Sequence, residues 1–266
     1  MPSLRWGLSL SLSEELADPV AVAALAADAE AAGWDGVFVW DHLFNRTRAP
    51  FADPWVTLAA MATATRRVRL GPLVTPLPRR RWQVVAQHAA TLDRLSGGRV
   101  ILGLGLGHDG HGEFSAFDEP LTDARARAER LDAELPLLLT ALTGEPVAAA
   151  DGRRTTVACV QRPRCPVWVA GSADKKAGPR RAARHGLEGV ALTGGGAWQP
   201  VHVAAALAAA DRTPDALDVV LVGGTYPDPG ALAAAGAAWL VPEGVLPGAT
   251  LAEARTLAAA PPPAGP

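Results

Sequence analysis

The chain is short of several residue types, and each shortage removes a class of protein. Two cysteines among 266 residues, Cys159 and Cys165, are too few for a disulfide framework, and no metal-ligand spacing surrounds them. No apolar run reaches the roughly 18 residues of a membrane-crossing helix, because a charge or a proline interrupts each one. The formal charge is only −2, with acidic and basic residues interspersed, so there is no electrostatic reason to expect a nucleic-acid partner. The first residues run straight into Arg5-Trp6-Gly7-Leu8 without a basic segment followed by an apolar one, so no secretory leader and a cytoplasmic location are expected. Only two of the 25 basic residues are lysine, Lys175 and Lys176. Set beside the abundant alanine, that scarcity points to a GC-rich coding background rather than a functional demand. The one basic run, Arg79-Arg80-Arg81, reads as a solvated loop.

What is present is a core. Hydrophobic residues make up 49% and charged residues 20% of the chain, enough to bury a large interior. Strand-like and helix-like segments alternate, which favours a parallel sheet over a sandwich. Strands are expected near Leu4–Leu10, Gly36–Trp40, Val68–Val74, Val100–Leu104, Val167–Ala170, Gly189–Leu192, Val219–Gly223 and Ala238–Val241. Helices are expected over Pro19–Ala32 (N-cap Asp18, stop at Gly33), from Asp53-Pro54 through Ala64, over Trp82–Leu95, and over Leu121–Leu142 with a kink at Pro136. Eight strand-helix repeats are the number that closes a (β/α)8 TIM barrel of about 250 residues; an open doubly wound sheet is the alternative. Residues 1–260 form a single barrel domain in this reading. Gly144–Pro166, between the fourth and fifth strands, is too long for a simple connection. Its Asp151-Gly152 turn signal suggests a hairpin inserted over the barrel mouth, and the proline-rich residues 261–266 should be frayed.

In a parallel barrel the carboxyl ends of the strands converge on one mouth, so the residues there are read for chemistry. After the second strand comes Trp40-Asp41-His42, an imidazole beside a carboxylate, able to take or give a proton near neutral pH. After the third, Leu70-Gly71-Pro72-Leu73-Val74 places a proline in a central strand, which implies a bulge. The fourth strand opens into Gly103-Leu104-Gly105-Leu106-Gly107-His108, where Gly105, Leu106 and Gly107 leave room for a flat ligand near the backbone. Gly105 to Gly110 spells G-x-G-x-x-G, but His108-Asp109-Gly110-His111-Gly112 cannot open a helix under a pyrophosphate, so the match is accidental. His108, Asp109, His111 and Glu113 allow a metal reading, although nothing holds the two histidines on one helix face, and no metal is expected. After the fifth and sixth strands, Gly171-Ser172 and Thr193-Gly194 belong to glycine-rich turns into helices, which suit a phosphate. Both lysines follow the first of these turns. Trp6, Trp40 and Trp168 read as barrel packing.

These motifs, in this order and spacing, resemble the luciferase-like superfamily of flavin- and deazaflavin-dependent oxidoreductases. The likeness is densest over Gly33–Gly107 and thins after Val222, where the last strand-helix unit looks short. It implies a barrel of the bacterial-luciferase type and a cofactor at its mouth, either reduced FMN or the 5-deazaflavin F-420. It implies His42 and His108 as the catalytic residues, although relatives that use deazaflavin often carry a glutamate where His108 stands. Asp41 and the strand-three bulge Pro72, Leu73 and Val74, with a non-prolyl cis peptide within Pro72–Val74 and foremost at Pro72–Leu73, would lie against the ring system. Gly105 to Gly107 would flank it, and Gly171, Ser172, Thr193 and Gly194 would hold the phosphate. A small-molecule substrate, a homodimer and, with FMN, a flavin reductase supplying reduced cofactor complete the expectation. Two rivals stand beside it: a non-catalytic flavin-binding relative or dimer partner, and a metal-dependent hydrolase barrel built on Asp41, His42, His108 and His111.

Overall fold

A computed structural model describes residues 4–44, 49–147 and 156–263. Eight strand-helix repeats follow one another as β1 (Arg5–Leu10), α1 (Pro19–Ala32), β2 (Gly36–Val39), α2 (Pro54–Ala64), β3 (Arg69–Pro72) with β4 (Thr75–Pro76), α3 (Trp82–Ser96), β5 (Leu102–Gly105), α4 (Ala124–Thr143), β6 (Val167–Ser172), α5 (Ala177–His185), β7 (Gly189–Thr193), α6 (Pro200–Ala210), β8 (Asp218–Val222), α7 (Pro229–Ala234), β9 (Ala237–Val241) and α8 (Leu251–Ala259). All the ladders are parallel, in the order β3-β2-β1-β9-β8-β7-β6-β5-β4. β3 and β4 are the two halves of one stave, which is why nine strands make an eight-fold barrel. A Leu70–Val100 bridge, with the Ile101 amide donating to the Leu70 carbonyl at 2.9 Å, brings β3 against β5 and nearly closes the ring.

Local chemistry sets the helix ends. Asp18 accepts the Val20 amide ahead of Pro19, and the left-handed Gly33 stops α1. Asp53 accepts the Trp55 and Val56 amides and starts α2 in the same way. α4 begins at the Asp123 cap, three residues later than expected, and runs through Pro136.

Three aromatic rings fill the barrel interior. Phe38, Trp168 and Trp239 pack pairwise with centroids 5.6–5.8 Å apart. The neighbouring staves make room with glycine: a Cβ at Gly189 would lie 2.3 Å from the Trp168 ring, and one at Gly36 3.0 Å from that of Trp239. This aromatic layer forms a floor, above which the carboxyl ends stay open.

The described flanks of the segment before β6, 145–147 and 156–166, lie at the end of the barrel opposite the one expected. They carry no strand, and Asp151-Gly152 lies outside the described residues. Gln161 bonds Asp93 at the end of α3 and the Val100 carbonyl ahead of β5, and also accepts from Arg69 at the start of β3. A connection that leaves a helix and enters a strand must sit at the amino end of the barrel, so these flanks cap the floor and leave the mouth free. Of the tail, Pro261–Pro263 is described without regular structure. No helix among the described residues is long and apolar enough to cross a membrane.

Candidate active site

Above the aromatic floor, the carboxyl ends surround a cavity of ≈ 840 Å³, within the size range of cofactor sites. Its acid-base wall is built from three successive staves. β2 leads into Asp41 and His42, the β3–β4 stave feeds Thr75, Arg79 and Arg80, and the loop after β5 returns with Glu113. Arg79 donates from Nη2 to Asp41 Oδ1 at 2.7 Å, and its Nη1 lies 2.9 Å from Glu113 Oε2. Arg80 binds Asp41 through two donors at 2.8 Å each, and the Thr75 hydroxyl adds a third contact at 2.8 Å. Asp41 and Glu113 are almost wholly buried, and a buried carboxylate requires such pairing to stay charged.

Glu113 also accepts the Leu43 amide at 2.6 Å through Oε1 and holds His42 Nδ1 at 3.1 Å through Oε2. Burial would raise its carboxyl pKa. The hydrogen bonds from His42 and Leu43 and the Arg79 charge outweigh burial and hold it below the ordinary carboxylate value. An ionised carboxylate can only accept, so His42 carries a proton on Nδ1 and keeps Nε2 as the atom available for chemistry. His108 is set the other way. The Gly110 amide donates to its Nδ1 at 2.9 Å, so the neutral ring carries its proton on Nε2. One histidine therefore presents an acceptor and the other a donor.

A family model for luciferase-like monooxygenases matches residues 5–253. The chain belongs to the luciferase-like monooxygenase family. It is 35% identical to an F420-dependent glucose-6-phosphate dehydrogenase of Nakamurella multipartita over 194 residues, covering 69% of this chain and 54% of that protein. The chain spans about half the length of the dehydrogenases it matches. The monooxygenase RslO1 from Streptomyces bottropensis has the same fold at TM-score 0.70 and 21% identity, covering 96% of each chain. The coenzyme F420 dependent tetrahydromethanopterin reductase of Methanopyrus kandleri follows at TM-score 0.64 and 22% identity, over 84% of this chain and 66% of that one.

Within this luciferase-like barrel, twelve of the thirteen residues read from the sequence face the cavity: Asp41, His42, Leu73, Val74, Gly105, Leu106, Gly107, His108, Gly171, Ser172, Thr193 and Gly194. Pro72 does not. It still pairs with Val39 in the ladder, and its carbonyl lies against Gly103. The ladder continues through the Leu73 amide, which donates to the Val39 carbonyl, so the strand breaks after Leu73. The cis peptide accordingly falls at Leu73–Val74, within the expected stretch and one bond later than its foremost position. Gly105 and Gly107 border the cavity, but the space beside them belongs to the protein. A Cβ at Gly105 would meet Val74 at 2.6 Å, and one at Gly107 would meet Pro76 at 2.8 Å.

Four features escaped the sequence reading. Arg79 and Arg80 are buried clamps rather than a solvated run, with side-chain exposures of 5% and 21%. Glu113 is a partner of His42 rather than a metal ligand. Trp40 lines the cavity instead of packing the barrel, with its Nε1 bonded to Ser9 at 2.7 Å. His111 stands beside both site histidines. A pairing signal was present, since Asp41 and the arginine run end adjacent staves of a parallel barrel. Among the described residues no three His, Cys, Asp or Glu side chains are grouped to hold a metal. Asp109, one of the four residues of the metal reading, accepts the Phe114 and Ser115 amides.

Proposed function

We propose that the chain is a deazaflavin-dependent oxidoreductase acting on a small substrate that carries a hydroxyl, or the matching carbonyl, on the carbon that changes oxidation state. The observation that carries this reading is the Glu113–His42 pair, which leaves one imidazole nitrogen as a proton acceptor in a cavity of cofactor size. The choice of deazaflavin over FMN follows two relatives of 35% and 38% identity that are named as F420-dependent, whereas the likeness to a solved monooxygenase rests on fold.

The residues present fit such a cofactor. At Gly196 and Gly223 an added Cβ would point into open space, so that part of the wall is a cradle rather than packing. α5 starts without a side-chain cap, and its first residues, Ala177 and Gly178, line the cavity beside Lys175. Free helix amides, a lysine and the Gly171-Ser172 turn suit a phosphate. Ser172 now donates to Asp174, and it would turn from that carboxylate to serve a phosphate. Leu73 and Val74 form the apolar wall for the ring system, and Asp41 acts at one remove by fixing Arg79 and Arg80.

When bound, the deazaflavin accepts or returns a hydride, and the protein positions it, excludes water and handles the proton. Oxidation of R₂CH–OH to R₂C=O gives up one hydride and one proton, and His42 Nε2 takes the proton. His108 Nε2–H donates to the substrate oxygen. Anaerobic mixing of F420 with a panel of small alcohols and sugars, glucose 6-phosphate included, tests the reading by loss of cofactor fluorescence. His42→Ala should bind F420 normally and turn over about 10²-fold more slowly. A His42→Ala protein with full turnover would remove His42 from the chemistry. Oxygen uptake with reduced FMN, in the absence of any F420 reaction, would replace the reading by a monooxygenase with a flavin reductase partner.

A further inference from the structure

A proton taken by His42 has to leave before the next cycle, and the surroundings of that ring restrict the exits. Glu113 on Nδ1 is kept ionised by the His42, Leu43 and Arg79 contacts. Arg79 has no accessible neutral form. Trp40 and Phe51 stand on two other sides, at 6.1 and 5.5 Å between ring centroids, and neither takes up a proton. With a cofactor and substrate in the cavity, the open face is closed as well.

The third aromatic ring beside His42 is that of His111, which lies edge-to-face to it at 6.1 Å. On its other side His111 lies edge-to-face to His108 at 6.4 Å. Glu113 is buried, whereas His42 and His111 are both half-buried and His108 is exposed. Asp109, the carboxylate on the same loop, is tied to the Phe114 and Ser115 amides and held below its usual value by them, so it is not a competing station.

We propose that His111 is a proton relay between His42 and solvent. The proposal rests on the reading of His42 as the proton acceptor. His111 acts through His42 and is not itself a catalytic residue. The transfer breaks the N–H bond at His42 Nε2 and forms one on the His111 ring, and a ring separation of this size calls for one bridging water in the gap. No electrons move, and the proton ends on solvent. The same path run backwards supplies the proton needed for carbonyl reduction.

Two measurements test this. In steady-state oxidation of the most active alcohol of the panel by F420, wild-type kcat should not respond to imidazole concentration at fixed ionic strength. His111→Phe should lose about tenfold in kcat at low buffer and recover as imidazole is added, with F420 affinity unchanged by fluorescence titration. An undiminished kcat, or a loss that imidazole does not restore, overturns the relay; the second outcome would make His111 a support for the His42 ring. Histidine-selective ¹⁵N NMR of the cofactor-free protein is an independent test. At one fixed pH the His42 ring should exchange its proton with water about tenfold more slowly in His111→Phe than in wild type. Equal exchange rates in the two proteins overturn the relay. A wild-type protein that reduces no F420 overturns the cofactor reading alone, and the NMR comparison then decides on the relay.

Discussion

At the scale of residues, Arg79 is the central tie, since it touches both buried carboxylates. Its replacement by alanine leaves Asp41 with Arg80 and Thr75 but removes the arginine from Glu113. The expected loss is about 3–5 kcal/mol, read from the urea midpoint at unchanged m-value. Glu113→Gln separates charge from shape. The folded-state pKa of Glu113 is depressed, so its ionised form contributes stability that is present above the unfolded carboxyl value and lost as pH falls through the folded one. Wild-type stability should therefore fall more steeply than that of Glu113→Gln as pH is lowered from about 4.5. Equal slopes in urea titrations across that range would show that Glu113 is not held ionised. The sequence made Asp41 and His42 legible, because a strand followed by a carboxylate and an imidazole is a local pattern. It hid Arg79 and Arg80, because their partner stands 38–39 positions away on another stave. A charge run reads as solvated until the fold supplies its counter-ion.

At the scale of elements, the break between β3 and β4 turns Leu73 and Val74 towards the cavity, and two glycines allow it. A Cβ at Gly71 would lie 1.7 Å from the Ile101 carbonyl oxygen, and one at Gly103 would lie 2.3 Å from the Pro72 oxygen. Gly71→Ala should cost about 3 kcal/mol or more, because the obstacle is backbone. Gly97→Ala, left-handed but with no neighbour within 4 Å, should cost about 1 kcal/mol. Similar losses in the two proteins by chemical denaturation would contradict the steric account of the seam. Trp168→Ala should remove about 3–5 kcal/mol by hollowing the aromatic floor. Strand and helix identities were legible because apolar runs bounded by Asp-Pro starts and glycine stops are local signals. The placement of the flanks 145–147 and 156–166 was not, because their composition says nothing about which end of a barrel they cover. Chain direction does, since one leaves α4 and the other enters β6.

At the scale of the whole molecule, the (β/α)8 barrel and its family membership were legible over most of the chain, and what separates this protein from its relatives was less so. It spans about half the length of the dehydrogenases it matches, yet the mouth keeps a cavity bordered by carboxyl ends from all round the ring. A barrel that binds its cofactor only when folded is stabilised by it. At a hundredfold excess over Kd the gain is about 2.7 kcal/mol, or a rise of about 5–10 °C in Tm for a chain of this size. The most direct test of the central claim is a parallel fluorescence titration of the purified protein with F420 and with FMN. Saturable binding of F420, with FMN at least tenfold weaker and His42→Ala binding F420 as wild type does, is the expected result. Binding of FMN alone, or of neither, would contradict a deazaflavin site at this mouth.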